Sequence, residues 1–474
     1  MSLARSRLQS LLVSREDVTR VAEYAQSWMT LYHGLYSLTY TFRTGFQLVA
    51  TYERMQGTEV HPAPSDIVIG GLPRNDYVSQ VCDVVEEVIV RKSILAGTVE
   101  GLETCMLLLM LAVGRNDLTI ICLTLKRLVA LADLMGLPRA GNVQATTQQP
   151  PKADPYAQAK LQIWEAICAT DRNFSMMLKL PASTTSHFFP LHKLVWQEGH
   201  DITQSYNYHL ARICGMVTSI EKSYTNGEAE EESYKWVIAT DNALTNLAIL
   251  VPKAWSQSHT GKATEMIVKF WHQYIKLRAH LRPAINPDPK YQSNRNAATE
   301  ACLEALRMFC SFRTSLSSGF YYCRVLDIQG FTAAVLLLLL RDEKNVVQFY
   351  DDLISRTIGC FKMVTAHTTS SFARKAAPGL SKLQSFLGDD HKGGPSSTTV
   401  HIPLLGNVRI EKHGHLLSNR TLLSTPPVEN YSGSSGLLDS PSSSTLPDMS
   451  FSIDFENDSP WTPPSSRAGG YGRD

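Results

Sequence analysis

The sequence predicts an all-α protein, a multi-helix bundle or array that gives way to a disordered C-terminal tail. Apolar residues recur three and four positions apart from near residue 14 to about residue 380, the period that gathers side chains on one face of a helix. No convincing alternating run and no Asn-Gly hairpin lies between these segments, which argues against half-buried strands. After about Leu387 the composition turns to Ser, Thr, Pro and Gly, and apolar side chains become too sparse to offset the entropy of ordering the chain. The chain thus divides into an N-terminal extension over 1–13, a helical domain over 14–387 and a largely disordered tail over 388–474.

Ser14 followed by Asp17 has the spacing of a capping box, so a helix should begin near Arg15 and run toward Met29. Val78, Val81, Cys82, Val85, Val88 and Ile89 share one helical face, with Glu86 and Glu87 on the solvated side. The block from Gly114 to Arg139 has Asn116 or Asp117 as a cap, Gly136 as a left-handed terminator and Pro138 beyond it. Its apolar residues populate both sides (Leu118, Ile121, Leu125 and Val129 on one, Ile120, Leu123, Leu131 and Leu134 on the other), which predicts burial on two faces.

Loops are expected near 141–156, where two consecutive prolines interrupt a polar stretch, and near 283–294, which carries three prolines. The acidic run beside Asn226-Gly227 predicts a solvated turn near 223–232. The apolar run Phe331 to Leu340 is ten residues long, well short of the ~20 needed to span a bilayer, so it reads as a buried core helix.

At 474 residues the chain exceeds the roughly 250–300 residues of a single core, consistent with one large domain plus a tail. A net charge of +1 gives no electrostatic footprint for a polyanion. The nine cysteines include no C-x-x-C pair and read as reduced core thiols of an intracellular protein. The N-terminus lacks the apolar run and cleavage site of a secretory signal.

The templates of chemistry fail one after another: there is no Gly-x-Gly-x-x-Gly turn, phosphate loop, His-Glu-x-x-His or Gly-x-Ser-x-Gly elbow. Gly261-Lys262 lacks the glycine five positions earlier, where Ser256 stands. His413 and His415 fall in the tail, and Cys302 and Cys310 read as core thiols rather than metal ligands. No catalytic, cofactor-binding or metal-ligating residue is expected, and the chain reads as a non-enzyme. An intracellular helical enzyme without a recognisable motif is the alternative.

The most informative stretch is WEAICATDRNFSMMLKLP, from Trp164 through Asp171 and Arg172 to Pro181. It resembles the central motif of the regulatory domain, or middle homology region, of fungal binuclear zinc-cluster transcription factors, with Leu178-Lys179 where Gly-Arg is frequent. Adjacent helical residues point about 100° apart. Asp171 and Arg172 are therefore expected to find partners on neighbouring helices and position them. Further blocks resemble the family in its order: Ser14 to Met55, Gly101 to Arg139, Phe270 to Pro283, Ala298 to Cys310 and Phe331 to Arg341.

The resemblance implies a nuclear regulator of transcription, with exchange into the cytoplasm as a variant. The implied partners are the transcription machinery or co-regulator proteins and a small-molecule effector, with no membrane. Zinc is implied only for the family's N-terminal six-cysteine cluster, whose spacing is absent here. DNA would be reached through a module or partner outside these residues. In the tail, His401 to Ile410 could form a short extended piece. Residues 438–461 interleave acids with aromatics, notably Asp448, Phe451, Asp454, Phe455 and Trp461, the composition of an acidic activation segment.

Overall fold

The computed structural model describes residues 2–36, 44–56, 74–115, 118–139, 155–178, 180–185, 194, 201–257, 261–286, 288–316, 323–340, 347–367, 371–388, 397–402 and 406–411. Contacts divide the chain into two compact units, Met1–Ser385 and Phe386–Asp474. The first is helical throughout its described residues, as the periodicity predicts.

Its opening helices are α1 (Ser2–Gln9), within the N-terminal extension, and α2 (Arg15–Leu35). The Ser14 hydroxyl accepts from the Asp17 amide at 3.1 Å and donates to the Asp17 carboxylate at 2.7 Å, the predicted cap. The helix runs past Met29 to Leu35 because Met29, Leu31, Tyr32 and Leu35 continue its buried stripe. Next come α3 (Gly45–Gln56) and α4 (Arg74–Val85).

The helix of α4 continues into a π-helical turn, Glu86–Val90, which keeps Val88 and Val90 buried. Arg127 donates to the Val90 carbonyl and lies 3.5 Å from the Glu86 carboxylate. Glu87 pairs with Arg7 of α1 at 2.6 Å. The acids named from sequence thus both serve as ties to other helices.

A short α5 (Ser93–Ala96) leads into α6 (Val99–Arg115) and α7 (Leu118–Leu134). Gly136 takes φ of +71° after α7, the left-handed terminator foreseen at that position. Burial of α7 on two faces does not occur. Ile121, Leu125, Leu128, Val129 and Ala132 are buried, whereas Ile120, Leu123 and Leu134 are 46%, 66% and 85% exposed. The helix packs on α6 and on α8 (Pro155–Leu178), which cover one side.

Helix α8 begins at Pro155, where the ring's fixed φ suits a first turn, so helix starts before the expected Lys160. The rest of 141–156 lies outside the described residues. Two long helices, α9 (Thr203–Thr225) and α10 (Glu230–Ile249), flank the predicted turn at Asn226-Gly227. After the short α11 (Lys253–Gln257) comes α12 (Ala263–Ile285), which packs extensively on α13 (Gln292–Phe312).

The long loop predicted over 283–294 is therefore corrected. Pro283 sits in the last turn of α12, where only the final residues follow it, and a 3₁₀ turn at Pro289–Tyr291 feeds directly into α13. The prolines shorten the connection instead of unwinding it.

Helices α14 (Cys323–Leu340), α15 (Val347–His367) and α16 (Ser371–Gly388) complete the array. By length and composition α14 could cross a membrane, but its side chains are buried in the protein, as its core-helix reading requires. A run of aromatic rings ties these helices together: Phe270 to Phe312 at 5.6 Å, Phe309 to Phe361 at 5.5 Å and Phe331 to Phe372 at 5.8 Å. Gly330 permits the approach of α14 to α13, since a Cβ there would stand 2.8 Å from the Phe309 ring.

In the second unit, β1 (Ser397–Ile402) and β2 (Gly406–Glu411) form an antiparallel hairpin, with Val400 opposite Val408. The extended piece foreseen at His401 to Ile410 thus turns back on itself, His401 pairing with Asn407, and continues its pairing into the residues before it. The sequence reading missed the hairpin because each strand carries only two apolar residues in alternation, Val400 and Ile402 on one and Val408 and Ile410 on the other.

Candidate functional site

The motif residues Trp164, Asp171 and Arg172 all lie in α8, where 16 of its residues from Ala159 to Leu178 are buried. Trp164 is completely inaccessible. The helix stops at Leu178, and the segment 180–185 folds back so that Thr184 comes under the helix.

Asp171 and Arg172 grip this one residue from two sides. The Thr184 amide and hydroxyl both donate to Asp171 Oδ2 at 2.8 Å. Arg172 donates from Nη2 to the Thr184 carbonyl at 2.8 Å and from Nε to the Thr184 hydroxyl at 3.3 Å. The hydroxyl therefore donates to the acid while accepting from the base, and every polar group of Thr184 is used.

The expectation of partners on neighbouring helices is corrected for Asp171, whose partner is a turn thirteen positions later; Arg172 shares that turn and lays its stem beside Gly215 of α9. The two charges do not pair directly with each other along the helix, as the 100° argument requires. Asp171, Arg172 and Thr184 are all at most 5% exposed. Removing the Asp171 carboxylate would leave the buried Thr184 amide and hydroxyl without the acceptor they share, a cost on the order of 1–3 kcal/mol.

A second helix is joined to the clamp from outside. Lys126 of α7 donates to the Pro181 carbonyl at 3.2 Å and to the Ser183 hydroxyl at 2.5 Å. Pro181 thus both follows the helix stop and presents an acceptor to α7. Sequence reasoning named Pro181 but missed Thr184 and Lys126. The run Ser183-Thr184-Thr185 directly after the stop was the available signal, since short hydroxyl side chains partner backbone and charge at helix ends.

The hydrogen bonds of this clamp hold and position the chain. The nearby Cys168 and Cys214 are buried, and burial pushes both thiols well above the ordinary range, so neither is a nucleophile at neutral pH. Burial also lowers the Arg172 guanidinium from its usual value.

The long α12 carries a similar set of ties. Glu221 of α9 receives Arg278 at 3.2 Å and Arg282 at 3.4 Å. His280 stands between Asp241 of α10 at 3.1 Å and Asn294 of α13 at 3.0 Å, and Tyr234 donates to Asn294 Oδ1. With the Asn294 amide donating to Nδ1, His280 Nε2 carries the proton toward Asp241, which holds that carboxyl below its usual value. This chain runs from Asp241 through His280 and Asn294 to the Tyr234 hydroxyl and so braces α10, α12 and α13 against one another.

Between α8, α12 and α14 lies an apolar cleft lined by Phe174, Met177, Trp271, Tyr274 and Gln329, with a volume of about 20 Å³. That is room for about one water, far below the ~300 Å³ of small ligand sites. Among the described residues no group of three or more His, Cys, Asp or Glu is arranged to hold a metal. Asp448, Phe451, Asp454, Phe455 and Trp461 lie outside the described residues.

Comparison with known proteins finds relatives among fungal regulators. The chain is 23% identical over 292 residues to transcription factor sdnS of Sordaria araneosa, covering 58% of this chain and 36% of that protein. It is 21% identical over 367 residues to the dehydrocurvularin biosynthesis regulator of Alternaria cinerariae, covering 70% and 47%. The corresponding regulator of Aspergillus terreus is 22% identical over 436 residues, covering 81% and 58%. The chain thus spans about half the length of the curated relatives it matches. No family model and no solved structure matches. These relatives bear out the likeness to fungal transcription factors that the motif order suggested.

Proposed function

We propose, starting from the kinship of this chain with fungal transcription factors, that it is a regulatory domain controlling transcription in the nucleus through protein or effector contacts. The observation that supports this reading is the use made of the motif: Asp171 and Arg172 are consumed in fixing one turn against α8, while Lys126 carries that turn to α7. A domain organised in this way transmits position. The charged groups of the motif are engaged with Thr184, which supports a positioning role for them. Recognition of DNA belongs to a module outside these residues, and residues 438–461 serve as the activation segment.

The reading is tested by fusing the full chain to a heterologous DNA-reading module beside a reporter gene. Output should differ at least severalfold from that of the module alone, and deletion of 438–461 should lower it. Unchanged output from a folded, nuclear fusion would overturn the regulatory role. Tight, salt-sensitive and sequence-specific DNA binding by the unfused chain would overturn the assignment of recognition to a separate module.

A further inference from the structure

Three cysteines converge where α13, α14 and α15 meet, and they differ in character. Cys323 of α14 is buried beside the Arg313–Asp327 ion pair, and burial raises its thiol to about 11. Cys310 of α13 is only half-buried, which corrects its reading as a core thiol. Its Sγ lies 3.5 Å from the hydroxyl of Thr357 on α15, and its thiol hydrogen-bonds with that of Cys360, one helical turn further on. Thr357 and Cys360 therefore present one face of α15 to Cys310.

Positive charge surrounds the pair. Arg356 acts on both thiols, and the Arg313 guanidinium, held by Asp327 at 2.5 Å, acts on Cys360. The hydrogen bond from Cys360, aided by the Thr357 hydroxyl and Arg356, brings the Cys310 thiol down to about 7 against the effect of burial. Cys360, the donor in that bond, moves the opposite way. Cys310 is thus the readier of the two to ionise and Cys360 the one that keeps its proton, the arrangement of an attacking and a resolving cysteine.

We infer that Cys310 and Cys360 form a redox couple that a hydroperoxide closes to a disulfide, clamping α13 covalently to α15. The Cys310 thiolate attacks one peroxide oxygen; the S–O bond forms, the O–O bond breaks, and the departing hydroxide takes a proton to become water. The Cys360 sulfur then attacks the Cys310 sulfenic sulfur; the S–S bond forms, the S–O bond breaks, and water leaves with the Cys360 proton. Hydrogen peroxide is reduced by two electrons to two waters while two thiols become one disulfide. A dithiol reductant reverses the change.

The test treats the reduced full chain with hydrogen peroxide at pH 7, then alkylates under denaturing conditions and maps peptides without reduction. Two of the nine thiols should disappear, a single peptide linking Cys310 to Cys360 should appear, and dithiothreitol should restore both. Cys360→Ser should leave Cys310 as a sulfenic acid trapped by dimedone, Cys310→Ser should abolish the reaction, and Cys122→Ser, remote on α7, should leave it intact. Arg356→Ala, at an exposed position, should slow the reaction severalfold without unfolding the protein. Retention of all nine thiols by the wild-type chain under conditions that oxidise glutathione would overturn the inference. So would a cross-link joining any other pair, a measurement that requires no variant to fold.

Discussion

Helices α7 and α14 are close in length and apolar content, yet they occupy opposite extremes of the protein. In α14 every residue but Arg324, Thr332 and Leu339 is fully buried, because α6, α12, α13 and α15 all pack on it. Among the described helices, α7 packs mainly on α6 and α8, and its Ile120, Leu123 and Leu134 are exposed. Apolar content therefore fixes that a helix has a buried side, while the number of neighbouring helices decides how many sides are buried.

The largest expected effect that would break this contrast comes from a charge placed in α14. Leu337 is completely buried, and Leu337→Asp should prevent folding, a loss above about 5 kcal/mol read by denaturant melts or by recovery only in inclusion bodies. A soluble, cooperatively folded variant would refute the packing of α14. Next, Arg313→Ala would strand Asp327, both at most 4% exposed, and should cost roughly 3–5 kcal/mol in a urea titration. The double variant Arg313→Met with Asp327→Leu should recover most of that loss, which separates the stranded charge from the lost packing.

A pH effect of similar size follows from His272, buried in α12 with Tyr206 at 2.8 Å from its Nδ1. Burial depresses the imidazole from its ordinary value to about 4. The unfolded chain binds the proton first as pH falls, so the folded state is favoured above about 6.5 and loses stability progressively toward pH 4. The loss reaches roughly 3 kcal/mol, and His272→Gln should flatten the slope of stability against pH over that window. An unchanged slope would show that the ring is not neutral in the fold. Smallest of all, Leu123→Ala and Leu134→Lys on the outer side of α7 should shift stability by no more than about 0.5 kcal/mol. A loss of 2 kcal/mol or more at either position would mean that α7 is covered in the folded protein.

Local chemistry was the legible part of this protein. The Ser14 cap, the left-handed Gly136, the turn at Asn226-Gly227 and the core character of α14 each depend on a few adjacent residues, and each stands where the sequence indicates. The motif around Asp171 and Arg172 was recognisable, but Thr184 was not, because its role depends on the chain reversing direction after Leu178. The outer side of α7 was misjudged for the same reason, since periodicity counts apolar residues without counting neighbours. Cys310 and Cys360 are separated by all of α14 and more than half of α15, and no spacing rule could have joined them.

The π-helical turn at Glu86–Val90 carries a consequence of its own. Such a turn closes on an additional residue, and here the Arg91 amide reaches back to the Glu86 carbonyl while Arg127 attends to Val90. The protein has thus absorbed one surplus amino acid within a helix instead of expelling it into a loop. Excising a single position from this stretch should restore ordinary winding and leave everything downstream on the faces it now occupies, because the wide turn takes up that one residue.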